Sequence, residues 1–275
     1  MGTSHRHKPG VLGEPNWGSA STSITSAAKN EEKSEALEQS QSAQTNKKQY
    51  ETLQKRYANA FKRNCHRAVR NLVRASGGRE KVSKGGSRAL GHAGLAVAGS
   101  IASTFAEIAA KGIDNWLNEK GIDLKNGKSC LEVLDFLRQY LSANVVGMDE
   151  TAANDALQHV LEKFEGDIKE DASNFDEVLN SIMNTNAIVE IIDEFMGIYI
   201  FSHLSQDFHE KIEKDKGNCI ADSTMAEIKG LILDDVRRGY NGHTSAEIDW
   251  SGKEGNDFIQ KEFNRIIYIL SGDED

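Results

Sequence analysis

A chain of 275 residues can form one or two domains, and three widely spaced cysteines, Cys65, Cys130 and Cys219, exclude a disulfide framework or a CxxC-type zinc site. Its two prolines are Pro9 and Pro15, so the rest of the chain is free of a residue that costs about 3 kcal/mol inside a helix. The net charge of −9 is unevenly spread: residues 47–92 carry 13 Lys and Arg against 2 acids, a net of +11, while residues 93–275 carry a net of −19.

Residues 1–46 are rich in Ser, Thr, Gly, Asn, Gln and Glu, with too few apolar side chains to offset the entropy of ordering. They are expected to be a disordered tail. No apolar run follows Met1, which argues against a secretory signal and for a cytoplasmic protein.

From Lys48 a helical period emerges. Tyr50, Leu53, Tyr57, Phe61, Cys65, Ala68 and Leu72 share one stripe, and Arg56, Arg63, Arg67, Arg70 and Arg74 decorate the other side. Gly77-Gly78 should end this helix, and the stretch to Ser87 reads as a glycine-rich hinge, making residues 47–87 a basic arm loosely tied to a helical domain over 88–271.

The body should hold a helix from Arg88 to Lys120. The uncharged run Ala93 to Ala106 is short for a bilayer and suits a tightly packed helix, with Gly91, Gly94 and Gly99 allowing close approach. A capping box, Ser129 to Glu132, starts a helix through Tyr140. Further helices are expected over Asp149 to Lys169 and Asn174 to Met183. Ala187 to Leu204 is apolar on most faces and reads as the central helix, with Gly197 to Phe201 as an alternative strand. Thr224 to Glu227 offers another capping box before a helix ending near Gly239, and Phe258 to Leu270 gives the last one. The fold class is therefore all-α: a bundle of six to eight helices preceded by the tail and the basic amphipathic helix.

Chemistry-bearing motifs are sparse. Gly127-Lys128-Ser129 ends like a P-loop, but its first glycine is out of register and no strand precedes it. Glu190, Asp193 and Glu194 lack the Glu-x-x-His partners of a carboxylate metal bundle and are expected to face solvent or the basic arm. His209-Glu210 lacks the second histidine of HExxH. No catalytic residue, cofactor or metal is expected, and the chain reads as non-enzymatic.

Two sites remain. The basic arm, through Arg63, Arg67, Arg70 and Arg74, can contact nucleic acid through phosphate or dock on the acidic body or a partner; its aromatics lie on the apolar stripe and offer no stacking platform. The other is the N-terminus. Gly2 is small enough for Met1 to be removed, and the α-amine freed, with a reference pKa of about 7.7–8.0, is partly neutral and nucleophilic near pH 7. Arg6 stands where myristoylation wants Ser or Thr.

Met1-Gly2-Thr3-Ser4, the polar tail, the Ser129-Cys130-Leu131-Glu132 start and the segment Ile191 to Phe201 resemble QatB, a component of the four-gene Qat antiphage defence system of bacteria. The likeness covers the start and roughly residues 88–270. It implies three partners: a large ATPase, a QueC-like enzyme and a TatD-like metal-dependent nuclease. QueC enzymes use ATP to activate the carboxylate of a 7-deazaguanine and then add ammonia. The resemblance implies that a QueC-like partner joins such a base to the amine of Gly2, with Thr3 and Ser4 as recognition residues. His5-Arg6-His7-Lys8 is more basic than the Gly/Pro-rich continuation of the family.

Overall fold

A computed structural model describes residues 15–39, 47–122, 130–143, 147–170, 185–239 and 248–272. Among these residues the proline-poor sequence forms ten helices and no strand: α1 (Pro15–Gln39), α2 (Lys47–Ala75), α3 (Arg79–Ser83), α4 (His92–Lys111), α5 (Ile113–Glu119), α6 (Cys130–Leu141), α7 (Met148–Glu170), α8 (Thr185–Lys216), α9 (Asn218–Arg238) and α10 (Lys253–Ser271). The all-α expectation holds.

The central helix is α8. Its 32 residues extend well past the expected Leu204, and Gly197 to Phe201 is helical throughout. Ile188, Ile192, Phe195, Met196, Tyr199, Leu204 and Phe208 are all buried along it. It packs against α1, α4, α7, α9 and α10. Each fully buried Ile, Leu or Phe contributes about 1.5–3 kcal/mol of transfer free energy, so this helix organises the bundle.

The first correction concerns the tail. Residues 15–39 form α1, which pairs with α2 and touches α8 and α9. Ala20, Ile24, Ala27 and Ala28 are fully buried. Their three-to-four spacing is a narrow apolar stripe made mostly of alanine, which lets the two helices approach closely. The hydroxyls that suggest disorder are satisfied inside the helix: Thr22, Ser23, Thr25 and Ser26 each donate to the carbonyl four residues back, at 2.8–2.9 Å. The remainder of the expected tail, residues 1–14 and 40–46, lies outside the described residues.

The second correction concerns the arm. Phe61, Cys65, Ala68 and Leu72 belong to the same buried core as α4, α8 and α10, so α2 is not loosely tied. The expected hinge contains α3, whose Val82 is fully buried, and Arg79 lies over the Tyr268 ring at 5.4 Å.

Three boundaries also shift. The helix expected over Arg88 to Lys120 is broken at Gly112, which has φ +80° and divides α4 from α5. The Thr224 capping box is not used: α9 begins at Asn218, and Thr224 is buried within it. The helix expected over Asn174 to Met183 lies outside the described residues. At 20 residues α4 is long and apolar enough to cross a membrane by length and composition, longer than the uncharged run implied. Half of its candidate span is buried in the bundle. Gly94 explains the close packing there, since a Cβ would meet the Tyr199 ring at 2.5 Å.

Candidate functional site

The arginines of the basic helix divide into two groups. On one side Lys62 and His66 reach across to Asp235 of α9, at 2.7 and 2.8 Å. One turn further on, Arg70 donates to the carbonyl oxygens of Ser271 and Gly272 at 2.7–3.0 Å, capping the C-terminus of α10 where the helix dipole is negative. Burial alone would raise the Asp235 carboxyl, but the hydrogen bonds and charges of His66 and Lys62 hold it below the usual carboxylate range. Lys62, His66, Asp235 and Gly272, with Asn59, Arg63 and Ile269, line a cleft of about 440 Å³. Next to this face Arg56, Arg63, Arg67 and Arg74 are exposed, with Arg63 at the edge of the cleft. The two expectations for the arm are thus divided between faces: Arg70 docks on the body, whereas Arg63, Arg67 and Arg74 point outward. Gly2, Thr3 and Ser4 lie outside the described residues.

A buried polar centre, which sequence reasoning missed, joins three helices. Asp149, in the first turn of α7, is 1% exposed and accepts hydrogen bonds from the Tyr199 hydroxyl, from His203 Nε2 at 3.0 Å and from the backbone N–H of Ala93 at 2.7 Å. The Gly91 N–H donates to the Tyr199 hydroxyl at 2.5 Å and more weakly to Asp149 at 3.3 Å. The carboxylate therefore sits at the N-termini of both α4 and α7, where the helix dipoles favour negative charge. Burial would raise its pKa, yet His203, Tyr199 and the Ala93 N–H outweigh that and hold it low. Tyr199 moves far up, through burial and the neighbouring carboxylate. With every group satisfied inside packed helices, this centre suits a structural lock. Its only signal in the sequence was an acid at a helix start.

A second centre pairs two carboxylates with one cation. Arg265 of α10 bridges Asp193, at 2.9 Å, and Glu262. The acids Glu190, Asp193 and Glu194 therefore do not serve the basic arm: Asp193 is buried against Arg265, Glu194 pairs with Lys163 of α7 at 2.6 Å, and Glu190 is exposed. Burial and the adjacent Glu262 push Asp193 up to about 8, and burial with neighbouring Glu227 pushes Glu31 of α1 up to about 7. A carboxyl raised in the folded state adds stability that is complete below its unfolded pKa and is lost as pH rises through the folded value. Asp149 and Asp235, both lowered, act in the opposite sense only toward acid. The thermal midpoint should therefore fall between pH 5.5 and 8.5, and Asp193→Asn should flatten that slope. A midpoint that stays level or climbs across this range contradicts the assignment.

Of the remaining candidates, His209 bonds Asp222 at 3.0 Å on the surface, and Gly127-Lys128-Ser129 lies outside the described residues. Cys65 is buried, which raises its thiol pKa, while Cys219 is exposed and free. Among the described residues no group of three or more His, Cys, Asp and Glu side chains could hold a metal ion.

The family model of the Qat anti-phage system associated protein QatB matches residues 83–270, about two thirds of the chain. The chain belongs to the QatB family. It is thus a component of the Qat antiphage defence system, as the resemblance implied. The match runs from the end of α3 to the end of α10, so it takes in the Asp149 and Asp193 centres and leaves α1 and α2 outside. Comparison with curated proteins and with solved structures gives no match.

Proposed function

We propose that this QatB-family chain is a non-catalytic adaptor of the Qat system, modified in the cytoplasm at the α-amine of Gly2. The family match carries the reading, because it supports a place for this chain in the Qat defence system; a QueC-like enzyme, an ATPase and a TatD-like nuclease are the partners that the resemblance implies. The N-terminal Met1-Gly2-Thr3-Ser4 supplies the acceptor and its recognition residues. ATP activates the carboxylate of a 7-deazaguanine base as its acyl-adenylate, and diphosphate is released. The neutral amine of Gly2 attacks the acyl carbon, the bond to AMP breaks, and loss of a proton leaves the amide. The amine takes the place of the ammonia of ordinary QueC chemistry. Twelve residues separate Gly2 from Pro15 at the start of α1, and the chain from one to the other spans at most about 45 Å when extended. The amine can therefore enter a partner's active site while the bundle stays outside. Closed buried centres, such as that of Asp149, fit a scaffold better than a catalyst.

Intact-mass measurement after co-expression with the QueC-like partner should show an adduct that maps to Gly2. Gly2→Pro should abolish it, because a secondary ring amine is a hindered acceptor, and should leave the helical circular dichroism unchanged. An unmodified N-terminus isolated from cells that resist phage would overturn the modification.

A further inference from the structure

The outward face of α2 is left unused by the adaptor reading. At 3.6 residues per turn, Arg56, Arg63, Arg67 and Arg74 fall within about 40° of one another around the helix. At 1.5 Å per residue they form a row about 27 Å long. All four are exposed, and among the described residues none of them takes a side-chain hydrogen bond or ion pair. The only acid in α2 is Glu51, which lies well away from this row. Where α2 meets the body, Asp235 and the carbonyls at the end of α10 are already matched by a different set of cations, Lys62, His66 and Arg70, on the neighbouring face. The row is therefore surplus positive charge in a protein whose net charge is −9.

We propose that this arginine row binds the phosphodiester backbone of duplex nucleic acid without reading its sequence. Every cation in the row is arginine, whose planar fork of donors grips phosphate oxygens in pairs. The neighbouring side chains are short or polar, Thr52, Asn59 and Ala60 among them. A protein partner would call for an apolar centre with aromatic anchors, which the face lacks. Single strands would call for aromatic stacking, and Tyr57 and Phe61 turn toward the core side of α2 instead. The acidic body does not cancel the row, because charges more than about 10 Å apart are largely screened at 0.1 M salt. Since α2 lies outside residues 83–270, the surface is independent of the features that define the family match.

The test is fluorescence anisotropy of the full chain with a labelled duplex DNA of about 24 base pairs, long enough to cover the row. The chain should bind at 50 mM salt, with affinity falling steeply and linearly on a log–log plot as salt rises. The quadruple variant Arg56→Gln, Arg63→Gln, Arg67→Gln, Arg74→Gln should bind roughly 100-fold more weakly at 50 mM salt and reduce the slope by about 3–4. A control of equal charge change, Lys211→Gln, Lys214→Gln, Lys253→Gln, Lys261→Gln, should keep both affinity and slope. Circular dichroism confirms that both variants fold. No binding at 50 mM salt, or equal losses in the two variants, overturns the proposal. Poly-glutamate displacing the duplex at equal total charge would also overturn it, and would make an acidic protein the occupant.

Discussion

Asp149→Ala should lower the stability of the folded chain by about 3–5 kcal/mol, measured as a shift of the denaturant midpoint at unchanged m value. The magnitude follows from what the substitution strands. His203 and Tyr199 are 2% and 0% exposed, and Asp149 is a partner of both. The Ala93 N–H, an orphan donor of the first turn of α4, has its bond to this carboxylate as well. Removing one acceptor thus leaves several buried donors unpaired, each at a cost of about 1–3 kcal/mol before relaxation. Against a typical total of about 5–15 kcal/mol, the variant can fail to fold. Tyr199→Phe covers that case, because it removes one hydroxyl and leaves the His203 and Ala93 bonds in place, for an expected loss of about 1–2 kcal/mol. The pH profile supplies the sign. The Asp149 carboxyl is held below the usual range, so its contribution is present above the unfolded pKa of about 3.9 and disappears as pH falls through the lower folded value. Losses under 1 kcal/mol from both variants would show that the helices meet by apolar packing alone.

How much of this was legible in the sequence depends on how far apart the interacting residues lie. The stripe Phe61, Cys65, Ala68, Leu72 is written in a single helix at three-to-four spacing, and all four residues are buried as the period requires. The apolar run from Ile188 to Leu204 likewise announced the central helix, although not its continuation to Lys216, where the apolar signal thins to Phe208 and Ile212, both buried, among polar and charged residues. The Asp149 centre was not legible, because its partners Tyr199 and His203 stand 50 and 54 residues away. An acid in a first turn looks the same whether it meets solvent or a buried tyrosine. The arginines were legible as a row but not as two functional faces. Periodicity places Arg70 beside Arg67, and only the arrival of the α10 C-terminus makes one a cap and leaves the other free. Gly112 divides two helices through a positive φ that composition does not reveal. The N-terminal residues proposed for modification were read from resemblance, and their test is chemical.

Ile24→Ala should cost about 2–4 kcal/mol, the range for truncating a buried aliphatic side chain. It separates a docked α1 from a tail that contributes nothing to the core. Ile24 is fully buried, between Ala20 and Ala28 on the one apolar stripe that α1 owns, and it belongs to the same core as Phe61, Cys65 and Leu72 of α2. Alanines remove little apolar area when they pack, so Ile24 supplies a disproportionate share of what holds the helix pair together. Polar ties support the docking without replacing it, among them a long hydrogen bond of 3.4 Å from Asn71 of α2 to Ser23. Lys216 of α8 pairs with Glu32 at 2.7 Å, and Lys211 donates to Ser21, but exposed pairs of this kind are worth under about 1 kcal/mol. The variant should therefore release α1 as a unit before the body unfolds, visible as faster amide exchange confined to residues 15–39 together with a lowered global midpoint. A lowered midpoint without that local change would place Ile24 in the main cooperative unit. No change in either quantity would restore the picture the Ser- and Thr-rich sequence suggested. In that event the apolar face of α2 must be covered by something other than α1.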